Sequence, residues 1–326
     1  MRSLRILSIC CLVLVGAAPR LCAGQFTQIV AFGDSLIDTG NFFAASGQTT
    51  PASPPYFNGR WTNGPAWVEL LASGIGVPDP QASLLGGTDY AYGGAKTSLS
   101  GVSGFGTPNI GTQVTTYLNT NPTITPQSTL FVIGGGGNDF LQNVSNLPNP
   151  SVPVSNLSTE ITELAQAGAK NFVVPTLPLL GERPFTQQQL VPIYGPGIVA
   201  TLDSLTTQFN TQLVNAESGL ESSLGIKIYS LDVNGLFEQV LANPGNFGFT
   251  NVTGTAKSGN FGAPGTVVPN PDQYLFWDPI HPTEAFFHLV GNAAVAAVVP
   301  EPSGVVMMGI GLATVAACAR LRRRVA

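Results

Sequence analysis

Short apolar runs alternate with longer stretches of helical spacing through the middle of this chain. Thr27 to Phe32 carries the apolar run Ile29-Val30-Ala31-Phe32 and predicts a buried strand, after which Asp34 to Ser46 turns away. Thr129 to Ile133 predicts a second strand, ending in four glycines, Gly134 to Gly137. Asn171 to Val174 predicts a third, stopped by Pro175, and Ile226 to Leu231 a further one. Between them the period changes. Pro65 to Gly74 places Trp67, Leu70 and Leu71 at helical spacing, and Asn156 to Ala169 places Ile161, Leu164 and Ala165 on one face. Residues 196–224 line up Val199, Leu202, Leu205, Phe209 and Leu213, and Thr283 to Val298 predicts a last helix.

Strands that alternate with helices argue for an α/β fold with a parallel sheet covered on both faces. In such a sheet the ligand site lies at the carboxyl ends of the strands. Ser35 follows the first strand and Asn138 the second, so both are expected at that edge. Residues 47–65, rich in Gly, Pro and Asn, are expected to loop over the site, and 242–272 to form an insertion loop.

The two ends read differently from the middle. Met1 to Arg5 is basic, Ile6 to Ala18 is apolar, and small residues follow at Ala23 and Gly24, the pattern of a secretory signal peptide over 1–24. A retained anchor is the alternative, but the run is short for a membrane span. At the other end, Val299-Pro300-Glu301-Pro302-Ser303 precedes an apolar stretch, 304–319, and an arginine-rich end from Arg320 to Arg324. The prolines break the chain before that stretch, and the arginines belong on the cytoplasmic side of a membrane. Tripeptide, apolar segment and basic end in that order resemble the PEP-CTERM sorting signal of Gram-negative bacteria. The resemblance implies a membrane protease as processing partner and transient membrane contact through this segment. A plain tail anchor is the alternative, and either places the domain outside the inner membrane, at the cell surface or in the medium.

Length and composition make the middle, residues 25–298, one globular domain, long enough for one large core or two smaller ones. The 38 glycines and 26 prolines indicate a loop-rich domain, and 44% hydrophobic residues are enough for a core. All four cysteines (Cys10, Cys11, Cys22, Cys318) lie in the terminal segments, so the domain has no disulfide framework, thiolate metal site or cysteine nucleophile. It holds six basic side chains against seventeen acidic ones, a net charge of −11. Such a domain repels nucleic acid and anionic membrane surfaces.

The candidate chemistry sits at opposite ends of the domain. Phe32-Gly33-Asp34-Ser35 offers a hydroxyl after a strand, and Asp278-Pro279-Ile280-His281-Pro282 offers a carboxylate and an imidazole three residues apart. These are a nucleophile, a general base and a group to orient the base. The chain has only two histidines, and His288 falls beside Phe286, Phe287 and Leu289 as a structural residue. An oxyanion needs donors: Gly93-Gly94 can present a backbone N–H, and Asn138 a side-chain amide. Trp61 and Trp67 are candidates for either the pocket or the core. Taken singly, Gly-Asp-Ser is an ordinary turn and Gly-Gly an ordinary loop. Asp-x-x-His lacks a second histidine or a cysteine for a metal site, though one of oxygen ligands alone stays open.

The order of the blocks FGDSLIDTGN, YGGA, GGGND and WDPIHPT, over about 27–298, resembles the GDSL family of the SGNH hydrolase superfamily. That resemblance implies a three-layer α/β/α sandwich with a mainly parallel, flavodoxin-like central sheet. It implies a triad of Ser35, His281 and Asp278. It implies an oxyanion hole from the Ser35 N–H, Gly94 (Gly93 as the alternative) and Asn138. Gly134 to Gly137 is more glycine-rich than the family's usual block, which puts the placement of Asn138 in question. No Gly-x-Ser-x-Gly elbow occurs, which disfavours the α/β-hydrolase fold.

The expectation is an exported serine esterase or lipase acting on carboxylic esters through an acyl-enzyme, without metal or organic cofactor. The alternatives are a polysaccharide O-acetyl esterase and a catalytically silent surface or matrix binding protein.

Overall fold

The computed structural model describes residues 25–299. The expected signal peptide, the sorting tripeptide and the apolar segment 304–319 lie outside those residues. Among the described residues no helix is long and apolar enough to cross a membrane.

Four parallel strands, β1 (Gln28–Gly33), β2 (Thr129–Gly134), β3 (Asn171–Pro175) and β4 (Lys227–Leu231), form the central sheet in chain order. Val30 stands beside Phe131, Phe131 beside Phe172, and Phe172 beside Ile228. Alternate side chains point to opposite faces, and helices cover both. On one face Ile29, Ala31, Leu130, Val132 and Val173 pack under α2 (Trp67–Ile75), α8 (Val233–Ala242) and α9 (Glu284–Val298), through Trp67, Leu71, Phe237, Phe286 and Val290. On the other, Val30, Phe32, Phe131, Ile133 and Phe172 pack under α3 (Ile110–Asn119), α5 (Ser151–Gln166) and α7 (Gly197–Leu224), through Val114, Leu157, Ile161, Leu202 and Phe209. The result is the expected α/β/α sandwich. Each large side chain buried here contributes roughly 1.5–3 kcal/mol.

The shorter helices are α1 (Asn41–Ala45), α4 (Gly137–Leu141) and α6 (Val191–Tyr194). The helix expected from Asn156 begins instead at Ser151, and α3 and α8 were not anticipated. α3 is short and rich in threonine, which blurs its apolar period. α8 starts where Asp232 accepts from the Gly235 N–H at 2.8 Å, an N-cap inside a stretch with no other start signal. Residues 242–272 are more than a loop: β5 (Asn251–Thr255) pairs with β6 (Tyr274–Phe276) in a separate two-stranded sheet.

Residues 88–92 position the site. Ala31 N donates to Thr88 O, Tyr90 N to Ala31 O, and Tyr92 N to Gly33 O, so this segment runs alongside the free edge of β1. It delivers Gly93-Gly94 to the same end of the sheet as Ser35.

Candidate active site

The turn after β1 sets the serine. A Cβ on Gly33 would lie 2.5 Å from Gly134 O and 2.7 Å from Ile37 Cδ1, so only glycine lets the two strand ends come this close. Ile37 N and Asp38 N donate to Asp34 O and close a helical turn, leaving Ser35 at the strand's carboxyl end.

Ser35 Oγ lies 2.9 Å from His281 Nε2, and His281 Nδ1 lies 2.8 Å from Asp278 Oδ2 and 3.0 Å from Oδ1. The three residues are buried. Asp278 is held from its own loop, since Oδ1 also accepts from the Ile280 and His281 N–H groups, both at 2.8 Å. Burial alone pushes its carboxyl up, but the His281 ring and these donors outweigh burial and hold it below the ordinary carboxylate range. It therefore stays ionised and acceptor-only, and a carboxylate at Nδ1 leaves Nε2 free to accept from Ser35.

The proposed oxyanion donors line the same cleft as Ser35 and His281. Gly94 has φ +79°, and a Cβ there would meet Phe105 Cδ2 at 2.4 Å, so glycine is required. The neighbouring glycine is otherwise engaged: Gly93 N donates to Asp38 Oδ2 at 2.8 Å. Of the two candidates, only the Gly94 N–H is left without a protein acceptor among the described residues. Gln142 Nε2 donates to Gly94 O at 2.7 Å and fixes that peptide's orientation. Asn138, in the first turn of α4, spends one amide N–H on Ala95 O at 3.0 Å and retains the other. Asp139 accepts from the N–H and hydroxyl of Thr97 and ties the 94–97 loop to α4.

The glycine-rich block has packing reasons. A Cβ would lie 2.5 Å from Pro175 Cγ at Gly134, 2.6 Å from Ile110 Cδ1 at Gly135 and 2.9 Å from Phe209 Cζ at Gly136, which also has φ +119°. Three of the four positions thus let β2 and α4 lie close to their neighbours, where a side chain would clash.

Several residues of the site had no signal in the sequence. The Tyr56 hydroxyl donates to Asp278 Oδ2 and accepts from Gly262 N at 2.7 Å. Burial first, and the Asp278 carboxylate second, keep this phenol well above its ordinary range, so it remains a donor. Trp61 belongs to the site, its ring centroid 5.1 Å from that of His281, whereas Trp67 belongs to the core. Tyr56 and Trp61 both come from the loop expected to cover the site. Phe105, Phe185 and Phe261 close around the cleft, with Phe261 6.3 Å from Phe105 and 6.4 Å from Phe185 between centroids. Phe261 comes from the segment expected to be an insertion. His288 stands exposed on α9, 3.4 Å from Glu284 and away from the cleft.

The profile of the GDSL-like lipase/acylhydrolase family matches residues 29–294. The chain belongs to this family. The family's carboxylic ester hydrolase chemistry accords with a serine, imidazole and carboxylate in line. A thermolabile hemolysin of Vibrio parahaemolyticus is 27% identical over 286 residues, covering 82% of this chain and 63% of its own. A GDSL esterase/lipase of Arabidopsis thaliana is 26% identical, covering 84% of this chain and 88% of its own. This chain therefore spans less than two thirds of the hemolysin's length but most of the plant protein's. Among solved structures, a lipolytic G-D-S-L family protein of Veillonella parvula is similar over 84% of this chain and 100% of its own, with a TM-score of 0.45 and 16% identity.

Proposed function

We propose that this protein is an exported carboxylic ester hydrolase working through Ser35, His281 and Asp278. The observation that carries the reading is the unbroken contact from Ser35 Oγ to His281 Nε2 at 2.9 Å and from Nδ1 to Asp278 at 2.8 Å. Ser35 attacks the acyl carbonyl while His281 Nε2 takes its proton. The oxyanion is met by the N–H groups of Ser35 and Gly94 and the free amide N–H of Asn138. His281 returns the proton to the leaving alcohol, and water then deacylates Ser35.

The cleft supports an apolar acyl group of short to medium length. Phe105, Leu141, Phe185, Phe261 and Ile280 line it, and among the described residues no Asp, Glu, Lys or Arg does. A second reading, removal of acetyl groups from surface polysaccharide, draws on Phe105, which is 49% exposed at the cleft and offers a ring face to a sugar. The basic-apolar start, and the Pro-Glu-Pro, apolar and arginine-rich end, support export and a membrane-protease processing step.

Hydrolysis of p-nitrophenyl acetate, butyrate and palmitate, beside the Ser35→Ala variant, tests the reading. Turnover that vanishes in Ser35→Ala with an unchanged Tm is expected. Turnover that survives the substitution sinks the mechanism. Activity confined to acetyl esters, extending to acetylated glycans, would favour the second reading. Fractionation of cells making the chain with and without residues 300–326 tests the sorting step.

A further inference from the structure

Two aromatic rings neighbour the His281 imidazole, and they meet it differently. Phe261 is edge-on, with 72° between planes and centroids 6.5 Å apart. Trp61 is inclined by only 35° at 5.1 Å, a tilted, offset stack that turns the indole face towards the His281 ring.

The indole sits in a slot built from separate segments. The Phe42 and Tyr56 rings meet it edge-on, with centroids 5.1 and 6.4 Å away. A Cβ on Gly93 would lie 2.5 Å from Trp61 Nε1, and one on Gly262 3.2 Å from Cζ3, so both loops approach the ring as only glycine allows. The Trp61 side chain is buried, and its Nε1 finds no partner among the described residues, although a buried indole N–H ordinarily does. No hydrogen bond fixes the ring there, and what the position offers His281 is a π face.

A π face attracts cations, and more strongly in a desolvated site. His281 becomes cationic when its Nε2 takes the Ser35 proton. Its counter-charge is Asp278, 2.8 Å away, but several groups draw on that carboxylate. Tyr56 donates to the same Oδ2, and the buried cations Arg183 and Lys257 are near enough to act on it. Both cations also oppose a further positive charge beside them. Asp34 is a second carboxyl close to His281 and Arg183, and burial raises it towards the neutral form.

We propose that Trp61 acts through His281, its indole face stabilising the imidazolium by cation–π attraction. It is a positioning residue for the base rather than for the ester, and the inference rests on His281 being that base. The attraction is weak while the imidazole is neutral, so it favours the transition state over the resting protein.

NMR titration of the two histidine rings in the resting protein tests the proposal, with His288→Gln assigning the remaining signal to His281. In Trp61→Leu the midpoint of that signal is expected to fall by roughly half a pH unit or more, and the acid limb of kcat/KM with it. Trp61→Phe, which keeps a smaller π face, should fall less. A ring that only excludes water predicts the opposite sign, because opening the site to solvent favours the charged imidazole. A midpoint that rises or stays in place in Trp61→Leu would overturn the proposal. Tryptophans carrying one, two or three fluorines keep the shape and drain the π face, which covers the case in which Trp61→Leu does not fold. The midpoint should step down with each fluorine, while the same labels on Trp67 and Trp277 in Trp61→Phe should move nothing. A flat series, or the same steps in Trp61→Phe, would also overturn it. The titration needs no turnover, so failure of the serine mechanism shows in the Ser35→Ala assay and leaves this result readable.

Discussion

The Tyr56 hydroxyl donates to Asp278 Oδ2 at 2.6 Å, across 222 positions of sequence. The same oxygen of Asp278 meets His281 Nδ1, so one buried carboxylate oxygen is shared by a phenol and the imidazole. Gly262 N donates to the phenol in turn and ties residues 258–265 to the same point.

Tyr56→Phe should therefore change the pH profile as well as the rate. Without the phenol, the negative charge on Asp278 is less neutralised and holds the imidazolium more tightly. The acid limb of kcat/KM should move to higher pH, and kcat should fall by about 10- to 100-fold, on the scale of one charge-assisted hydrogen bond. A profile with unmoved limbs would make Tyr56 a packing residue only.

Asn138→Ala should lower kcat by roughly 10²–10³ with little change in KM, because the lost donor acts on the oxyanion rather than on the bound ester. Gly94→Ala should fall in the same direction and also lose stability, since its φ of +79° and its contact with Phe105 exclude a side chain. Steady-state kinetics with one ester, beside thermal melts, separates the two effects.

Phe261→Ala should widen acyl-chain preference. The ring lies edge-on to His281, centroids 6.5 Å apart, and between Phe105 and Phe185, where it is expected to limit the length of chain the cleft accepts. The ratio of octanoate to acetate turnover is expected to rise severalfold. A fall in both rates alike would mean the ring serves the loop and not the substrate.

Glu160 offers a pH test of stability away from the site. It is buried on α5, and its Oε2 finds no partner among the described residues. Burial first, and Glu163 second, push its carboxyl up from 4.5 to about 7. A carboxyl raised in the folded state binds more protons folded than unfolded between those values. The contribution of Glu160 to stability is thus greatest below about pH 4.5 and declines as pH rises towards 7. Glu160→Gln should add on the order of 1–3 kcal/mol at pH 8 and almost nothing at pH 4. Thermal melts across that range give the sign directly.

Gly134→Ala should cost about 1–3 kcal/mol, since its Cβ would press on the rigid ring of Pro175 at 2.5 Å. An unchanged Tm would show that β2 and β3 can separate freely at their ends.

The amino-acid sequence by itself determined the sheet and singled out the three residues that the structure brings together. Ile29 to Phe32 and Thr129 to Ile133 are apolar on both faces because both faces of a parallel sheet are covered, and such runs are visible without coordinates. Ser35, Asp278 and His281 were legible as candidates because a nucleophile, its base and an orienting carboxylate would have to be particular residue types, and the chain has only two histidines. Tyr56 and Phe261 were not legible, and Trp61 stayed open between pocket and core. A tyrosine or phenylalanine looks alike in a core, a loop or a site, and only the approach of distant segments gives it a partner. Likewise only the folded chain brings the Asp38 carboxylate to the Gly93 N–H and leaves the Gly94 N–H without a protein acceptor among the described residues. Residue chemistry is written locally, whereas shared hydrogen bonds, burial and cavities arise only where remote segments meet in space, and those are what the tertiary structure decided.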